Sequence, residues 1–98
     1  MKIVDQSANL NVAVNLKEVA ATSSGPIQGI NILARGTVSA GTVKLTASHD
    51  GVTFYPLKED GVQVELEINS FTFLRFENLY IKCDLTGVTS SDLIVEVQ

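Results

Sequence analysis

Ser48, His49 and Asp50 are consecutive, and their side chains are those of a nucleophile, a general base and an orienting carboxylate. Catalysis by such a set requires one continuous chain of hydrogen bonds from the serine through the histidine to the carboxylate. Sequence neighbours in a tight turn point in different directions, so these side chains do not meet that requirement. His49 is the single histidine and precedes the turn signal Asp50-Gly51. We therefore predict that His49 is an exposed turn residue, that no residue is catalytic and that the chain is not an enzyme.

Cys83 is the single cysteine, which excludes a disulfide bond within the chain. A zinc site built from cysteine and histidine side chains would need more ligands than one of each. Because Cys83 lies in a predicted strand, we expect it to be a small buried apolar residue. The sequence contains neither a glycine-rich phosphate loop nor a dinucleotide-binding fingerprint, and we predict no cofactor.

Carboxylates could bind a cation, or act as an acid and base pair, where two or more of them converge. Glu65 and Glu67 share one face of a predicted strand, opposite its apolar face, so we expect both to face solvent. A calcium ion takes several closely spaced oxygen ligands. Asp50, Glu59 and Asp60 would supply them only if their two turns met at one end of the fold. We predict no metal site.

Aromatic residues are few, and a domain of this size needs most of them in its core. Phe71 and Phe73 lie on one face of a predicted strand, whereas Leu74 and Phe76 lie on the other. A strand with bulky side chains on both faces either is central in a layered core or presents one face to a partner. We predict that Phe71 and Phe73 contact a partner.

Alternation of apolar and polar residues with a period of two dominates the chain and predicts β-strands. The clearest case is Val62, Val64, Leu66 and Ile68, which share one face. Turn signals recur roughly every eight to twelve residues, which is typical of all-β sandwiches and barrels. We predict an all-β fold, an antiparallel β-sandwich or jelly roll of about eight strands, with a closed barrel as an open alternative. The predicted strands cover residues 10–16, 30–35, 43–48, 53–55, 62–68, 71–76, 79–85 and 93–97.

The remaining segments connect these strands within a single domain, residues 1–98. Residues 16–21 favour at most one helical turn, because so short a helix does not stand alone. Pro56 cannot donate a ladder hydrogen bond, which indicates an edge strand or a strand end. Residues 1–8 precede the first clear strand, and we expect them to form an N-terminal arm or a short edge strand. We predict that Ile3 and Val4 contact a partner through this segment.

The charge balance restricts the possible partners. The net charge is −4, and the seven lysine and arginine residues are scattered from Lys2 to Lys82. Nucleic acids and anionic membranes are bound through concentrated basic surfaces, so we predict neither as a partner. No apolar run approaches the roughly 18 residues of a transmembrane helix, and the first residues lack a signal peptide's apolar stretch. We expect folding in a reducing cytoplasm.

The stretch from Val43 to Leu57 has a distinctive order: a strand, then Ser-His-Asp-Gly, then Val-Thr-Phe-Tyr, then Pro-Leu. Phe73-Leu74-Arg75-Phe76 and Leu79-Tyr80-Ile81-Lys82 fit the strand that follows it. Together, residues 42–85 resemble small β-sandwich proteins of tailed-phage virions, including head decoration and tail accessory proteins. They resemble more weakly the C-terminal half of discoidin-type carbohydrate- or lipid-binding modules, whose usual disulfide and tryptophans this chain lacks.

The resemblance to phage proteins implies a virion structural protein of the capsid decoration or cement type, which stabilises the head through protein–protein contacts. It implies assembly in the host cytoplasm, a homo-oligomeric state, and the major capsid protein or other virion subunits as partners. The weaker resemblance implies an alternative, a small carbohydrate- or ligand-binding module. A tail or fibre accessory protein is a further alternative.

Overall fold

The computed structural model describes residues 1–16, 18, 30–74 and 79–98. The regular structure of these ranges is almost entirely β, with one short 3-10 helix at Gln6–Ala8, and every strand pairing is antiparallel. The predicted all-β class is therefore confirmed. The described residues form twelve strands, because two of the eight predicted strands are each divided in two and two further strands form at Lys2–Asp5 and Lys58–Glu59.

The strands form two sheets and a separate two-stranded ribbon. The first sheet contains, in spatial order, β10 (Ser70–Leu74), β4 (Ile30–Arg35), β12 (Ile94–Val97), β1 (Lys2–Asp5) and β2 (Leu10–Asn11). The second contains, in order, β3 (Val14–Asn15), β11 (Tyr80–Asp84), β5 (Val43–Ser48) and β6 (Tyr55–Pro56), and β9 (Glu65–Leu66) also pairs with β5. The ribbon consists of β7 (Lys58–Glu59) and β8 (Val62–Gln63).

Side chains from both sheets pack into one apolar core, as in a β-sandwich. In β4 the buried side chains are Ile30, Ile32 and Ala34, at every second position, as the alternation predicts. From the second sheet, β5 contributes Val43 and Leu45. Burying one such isoleucine or leucine contributes ~1.5–3 kcal/mol, and this shared burial holds the sheets together.

The N-terminal residues form neither an arm nor an edge strand. β1 lies inside the first sheet, paired with β12 on one side and with β2 on the other. Its register shifts between Lys2 and Val4, as at a β-bulge, and the consecutive side chains of Ile3 and Val4 are both fully buried. The prediction that Ile3 and Val4 contact a partner is corrected accordingly, because the chain's own core already covers both side chains.

Residues 10–16 do not form one strand. Because β2 belongs to the first sheet and β3 to the second, the chain crosses between the sheets at residues 12–13. Val12 donates its backbone N–H to Ile3 O at 2.9 Å, and its side chain is exposed, whereas Val14 and Leu16 are buried. One alternating pattern thus contains a strand of each sheet, because the chain passes from one sheet to the other within it.

Residues 62–68 are also interrupted, although their alternation is the clearest in the sequence. Val62 lies in the ribbon, where its side chain is 68% exposed, so it does not belong to the core. Leu66 pairs with Val43 of β5 and is buried. Glu65 and Glu67 are exposed, as predicted.

Some predictions fall partly outside the described ranges. Of the helical turn predicted at residues 16–21, only Leu16 and Glu18 are described, and both have helical backbone. Phe76 and the end of the strand predicted at residues 71–76 lie outside. Within the described ranges, no helix has the length and apolar character needed to cross a membrane.

Candidate functional site

The loop after β5 is closed by hydrogen bonds between Ser48, Asp50 and the amides that follow. Ser48 Oγ donates to Asp50 Oδ1 at 2.8 Å and accepts the N–H of Gly51 at 2.9 Å. Asp50 Oδ1 also accepts the N–H groups of Val52 at 2.9 Å and Thr53 at 3.1 Å. The predicted Asp-Gly turn is therefore a longer loop, whose shape these bonds determine.

These bonds give the Asp50 carboxylate a structural role. The N–H groups of Val52 and Thr53, followed by the hydroxyl of Ser48, lower the pKa of Asp50 from its ordinary 3.8 to about 2. Because the serine bonds the carboxylate directly, the exposed His49 does not stand between them as a base. The geometry therefore offers no nucleophile activated through a histidine.

Other aspartates hold turns in the same manner. Asp84 accepts the N–H of Thr86 at 2.9 Å, and Asp92 accepts the N–H of Thr37 at 2.9 Å. The hydroxyl and then the N–H of Thr86 lower the pKa of Asp84, and the N–H of Thr37 lowers the pKa of Asp92, since each bond favours the charged carboxylate. Three of the eleven acidic residues, Asp50, Asp84 and Asp92, thus accept hydrogen bonds that shape loops.

Replacing Asp50 by asparagine should make the free energy of unfolding less dependent on pH. A carboxyl whose folded pKa lies below its unfolded value stabilises the fold above the unfolded pKa, and this contribution is lost as pH falls from 3.8 towards about 2. Urea unfolding at about pH 6, pH 4 and pH 2 should show the largest difference between wild type and Asp50→Asn at the highest pH. The same difference at every pH would contradict this role for Asp50.

Cys83 and the carboxylates of the described ranges form no reactive or metal-binding group. Cys83 lies buried in β11, as predicted, and burial raises the pKa of its thiol to about 12. Its sulfur therefore stays protonated and is a poor nucleophile. In the same ranges, no three histidine, cysteine, aspartate or glutamate side chains are close enough to share a metal ion. Asp50, Glu59 and Asp60 thus do not combine into a calcium site.

The first candidate surface is the outer face of the first sheet over β10 and β4. Phe71 is 72% exposed and Phe73 is 41% exposed. Phe71 pairs across the strands with Leu33, and Phe73 pairs with Asn31. We call the surface formed by Asn31, Leu33, Phe71 and Phe73 the β10 face. It carries the exposed aromatic pair that the sequence analysis singled out.

Polar groups border the β10 face on the β12 side. Arg35 Nε and Nη2 each lie 2.9 Å from Glu96 Oε1. Glu96 and Gln98, together with Asn31, Leu33 and Phe71, line a shallow hollow of about 140 Å³ beside the aromatic side chains. An exposed ion pair of this kind contributes only ~0–1 kcal/mol to folding. Its position gives the apolar centre of the β10 face a polar border.

The second candidate surface is an open cleft of about 460 Å³ beside the loop after β5. Its walls include Ser48, His49, Asp50, Thr53, Tyr55 and Pro56. We call it the Tyr55 cleft. β6 forms one wall at an edge of the second sheet, with Tyr55 opposite Ala47 and Pro56 opposite Thr46. Pro56 therefore lies in an edge strand, as predicted.

Tyr55 is the residue that the sequence analysis missed, because it assigned most aromatics to the core. Its side chain is 68% exposed. The available signal was Pro56, which indicates an edge strand and so places Tyr55 near the margin of a sheet. What no local pattern shows is that Tyr55 shares a cleft with His49 and Asp50.

Comparison of the chain with protein-family models, with curated proteins and with solved structures finds no match in any of the three.

Proposed function

We propose that this chain is a structural protein of a tailed-phage virion, of the capsid decoration or cement type, and that it is not an enzyme. The supporting observation is the β10 face, where Phe71 is 72% exposed beside Leu33. An apolar centre with a polar border is the usual anatomy of a protein–protein contact, in which buried aromatic side chains carry much of the binding energy. The reason for proposing a virion protein in particular is the resemblance of residues 42–85 to small β-sandwich proteins of tailed phages.

The position of β10 in the sheet also supports a protein partner. Within the described ranges β10 is an edge strand of the first sheet and pairs with β4 on its other side. Edge strands are usually protected from pairing with other chains by charged residues or proline. The sequence of β10, Ser70-Phe71-Thr72-Phe73-Leu74, contains neither. A neighbouring virion subunit would cover this strand and its aromatic side chains together.

The proposed mechanism is stabilisation by selective binding. A protein that binds only the assembled shell, and not its separated subunits, shifts the equilibrium towards the shell by mass action. The proposed partners are the major capsid protein or other virion subunits, together with further copies of this chain. The proposed location is the virion, after assembly in the host cytoplasm.

Phe71→Ser should weaken binding to assembled heads by at least about tenfold, because it removes the most exposed apolar side chain of the β10 face. The test uses heads of the phage whose genome encodes this chain, assembled without it. Wild type added back should sediment with these heads and raise their melting temperature. Failure of the wild type to bind would contradict the proposed function.

The matched control is Tyr55→Ser, which removes an aromatic side chain of similar exposure, 68% against 72%, from another surface. It should bind heads as the wild type does. Neither exposed substitution should change the free energy of unfolding by more than about 0.5 kcal/mol, so lost binding would not reflect unfolding. Equal binding by Phe71→Ser and wild type would show that the β10 face is not the contact. Sedimentation with tails alone would favour the tail accessory alternative.

A small carbohydrate- or ligand-binding module is the second candidate. A specific observation favours it, since the Tyr55 cleft places an exposed aromatic side chain beside polar groups at a loop end.

A further inference from the structure

The Tyr55 cleft has the dimensions of a ligand site. Small-molecule sites commonly measure ~300–1,000 Å³ and combine apolar or aromatic walls with a few polar groups. The cleft measures about 460 Å³, and its walls include the ring of Tyr55 and the apolar Pro56 and Leu79. His49, Asp50 and Thr53 supply the polar groups.

Hydrogen bonds within the loop after β5 fix the positions of these polar groups before any ligand binds. Ser48 and Asp50 tie this loop together through bonds of 2.8–3.2 Å. Gly51 has a φ of +80°, and a Cβ there would lie 3.2 Å from the ring of Tyr80, so the loop backbone packs closely on β11. A ligand that bound here would meet a loop with little conformational freedom left to lose.

The Asp50 carboxylate presents one oxygen towards new partners. Within the described ranges, all its hydrogen bonds are made by Oδ1, and Oδ2 accepts none. A carboxylate oxygen accepts hydrogen bonds and donates none while it is charged. The site therefore favours a ligand that carries hydroxyl or other donor groups.

The charges of the described lining residues disfavour anionic ligands in the cleft. Among the described residues that line it there is no lysine or arginine, Asp50 is negative, and the net charge of the chain is −4. Phosphorylated or otherwise acidic ligands would therefore be repelled. The cleft instead matches a pyranose, which has one apolar C–H face and donor hydroxyl groups at its edge. The C–H face can stack on the exposed ring of Tyr55, and a hydroxyl can donate to the Asp50 carboxylate.

We infer that the Tyr55 cleft binds neutral glycans, with a sugar ring stacked on Tyr55 and a sugar hydroxyl donating to Asp50 Oδ2. This inference rests on the second candidate function, whose ligand class it names, and it uses a different surface from the β10 face. A virion protein with both surfaces would contact the particle through one and an external glycan through the other.

The test is an array of printed neutral glycans with sialylated and uronic-acid glycans as a separate arm, probed with wild type and three variants. Wild type should bind one or more neutral glycans. Tyr55→Ser should lose at least about tenfold in apparent affinity, whereas Tyr55→Phe, which keeps the ring, should stay within about threefold. Phe71→Ser should bind as wild type does, because its substitution lies on the β10 face.

The bound position is checked by titrating the isotope-labelled protein with the glycan that binds best. Backbone N–H signals of Gly51, Val52 and Thr53 should shift and saturate. No binding on the array, binding confined to acidic glycans, equal binding by Tyr55→Ser, or shifts elsewhere would each overturn the inference. If the chain binds heads but no neutral glycan, the inference fails and the proposed virion role stands. If it binds neutral glycans but not heads, only the proposed virion role fails.

Discussion

Ile3→Ala should reduce the free energy of unfolding by about 2–5 kcal/mol, the range found when a fully buried isoleucine is truncated. The side chain of Ile3 has no exposed surface, and β1 is paired on both sides, so the backbone cannot collapse into the vacated space. Urea unfolding followed by circular dichroism measures the loss. The effect is large for a single domain, whose total stability is commonly ~5–15 kcal/mol.

Val62→Ala is the control for this prediction, because the sequence and the structure assign Val62 differently. The alternation of residues 62–68 places Val62 in the core, but its side chain is 68% exposed in the ribbon. The variant should therefore stay within about 0.5 kcal/mol of wild type. A large loss for Val62→Ala together with a negligible one for Ile3→Ala would contradict the fold at both positions.

Gly41→Ala should cost about 3 kcal/mol or more, because two penalties act at the same position. Gly41 has a φ of +83°, where a side chain is strained, and a Cβ there would collide with the carbonyl of Gly87 and lie 2.8 Å from Val88 Cα. The two loops cannot simply separate, since Thr89 donates its N–H to Ala40 O at 2.9 Å beside the contact. The melting temperature and the urea midpoint should both fall.

Gly61→Ala separates these penalties. Gly61 has a similar φ of +80°, in the turn between β7 and β8, but a Cβ there would meet nothing within 4 Å. This variant should cost only the left-handed conformation, about 1–2 kcal/mol. The difference between the two glycine variants then measures the collision of the loops. Equal losses would show that the loops are not in close contact.

Several features follow from the sequence because they depend on neighbouring residues alone. A strand turns successive side chains to opposite faces, so the period of two in residues 30–35 is sufficient to predict the buried side chains of Ile30, Ile32 and Ala34. The same periodicity predicts that Phe71 and Phe73 share a face. Composition likewise predicts a buried Cys83, because a lone cysteine in a strand behaves as a small apolar residue.

Other features were decided by partners distant in the chain. Alternation identifies two faces but not which sheet a strand joins, or where it leaves that sheet. Residues 10–16 therefore keep one pattern while β2 pairs with β1 and β3 pairs with β11. Val62 has the pattern of a core residue but pairs within the ribbon, away from the core.

The two candidate surfaces also differ in how far the sequence predicts them. The aromatic pair of the β10 face could be read from residues 71–73, although only the structure shows that the pair lies on the exposed face of the sheet and not in the core. The Tyr55 cleft could not be read locally, because it requires β6 to pair with β5 so that Tyr55 faces the loop of His49 and Asp50. The alternation of side chains is a local property of the backbone, whereas the sheet that a strand joins and the surfaces that distant segments share are set by long-range pairing, which only the tertiary structure determines.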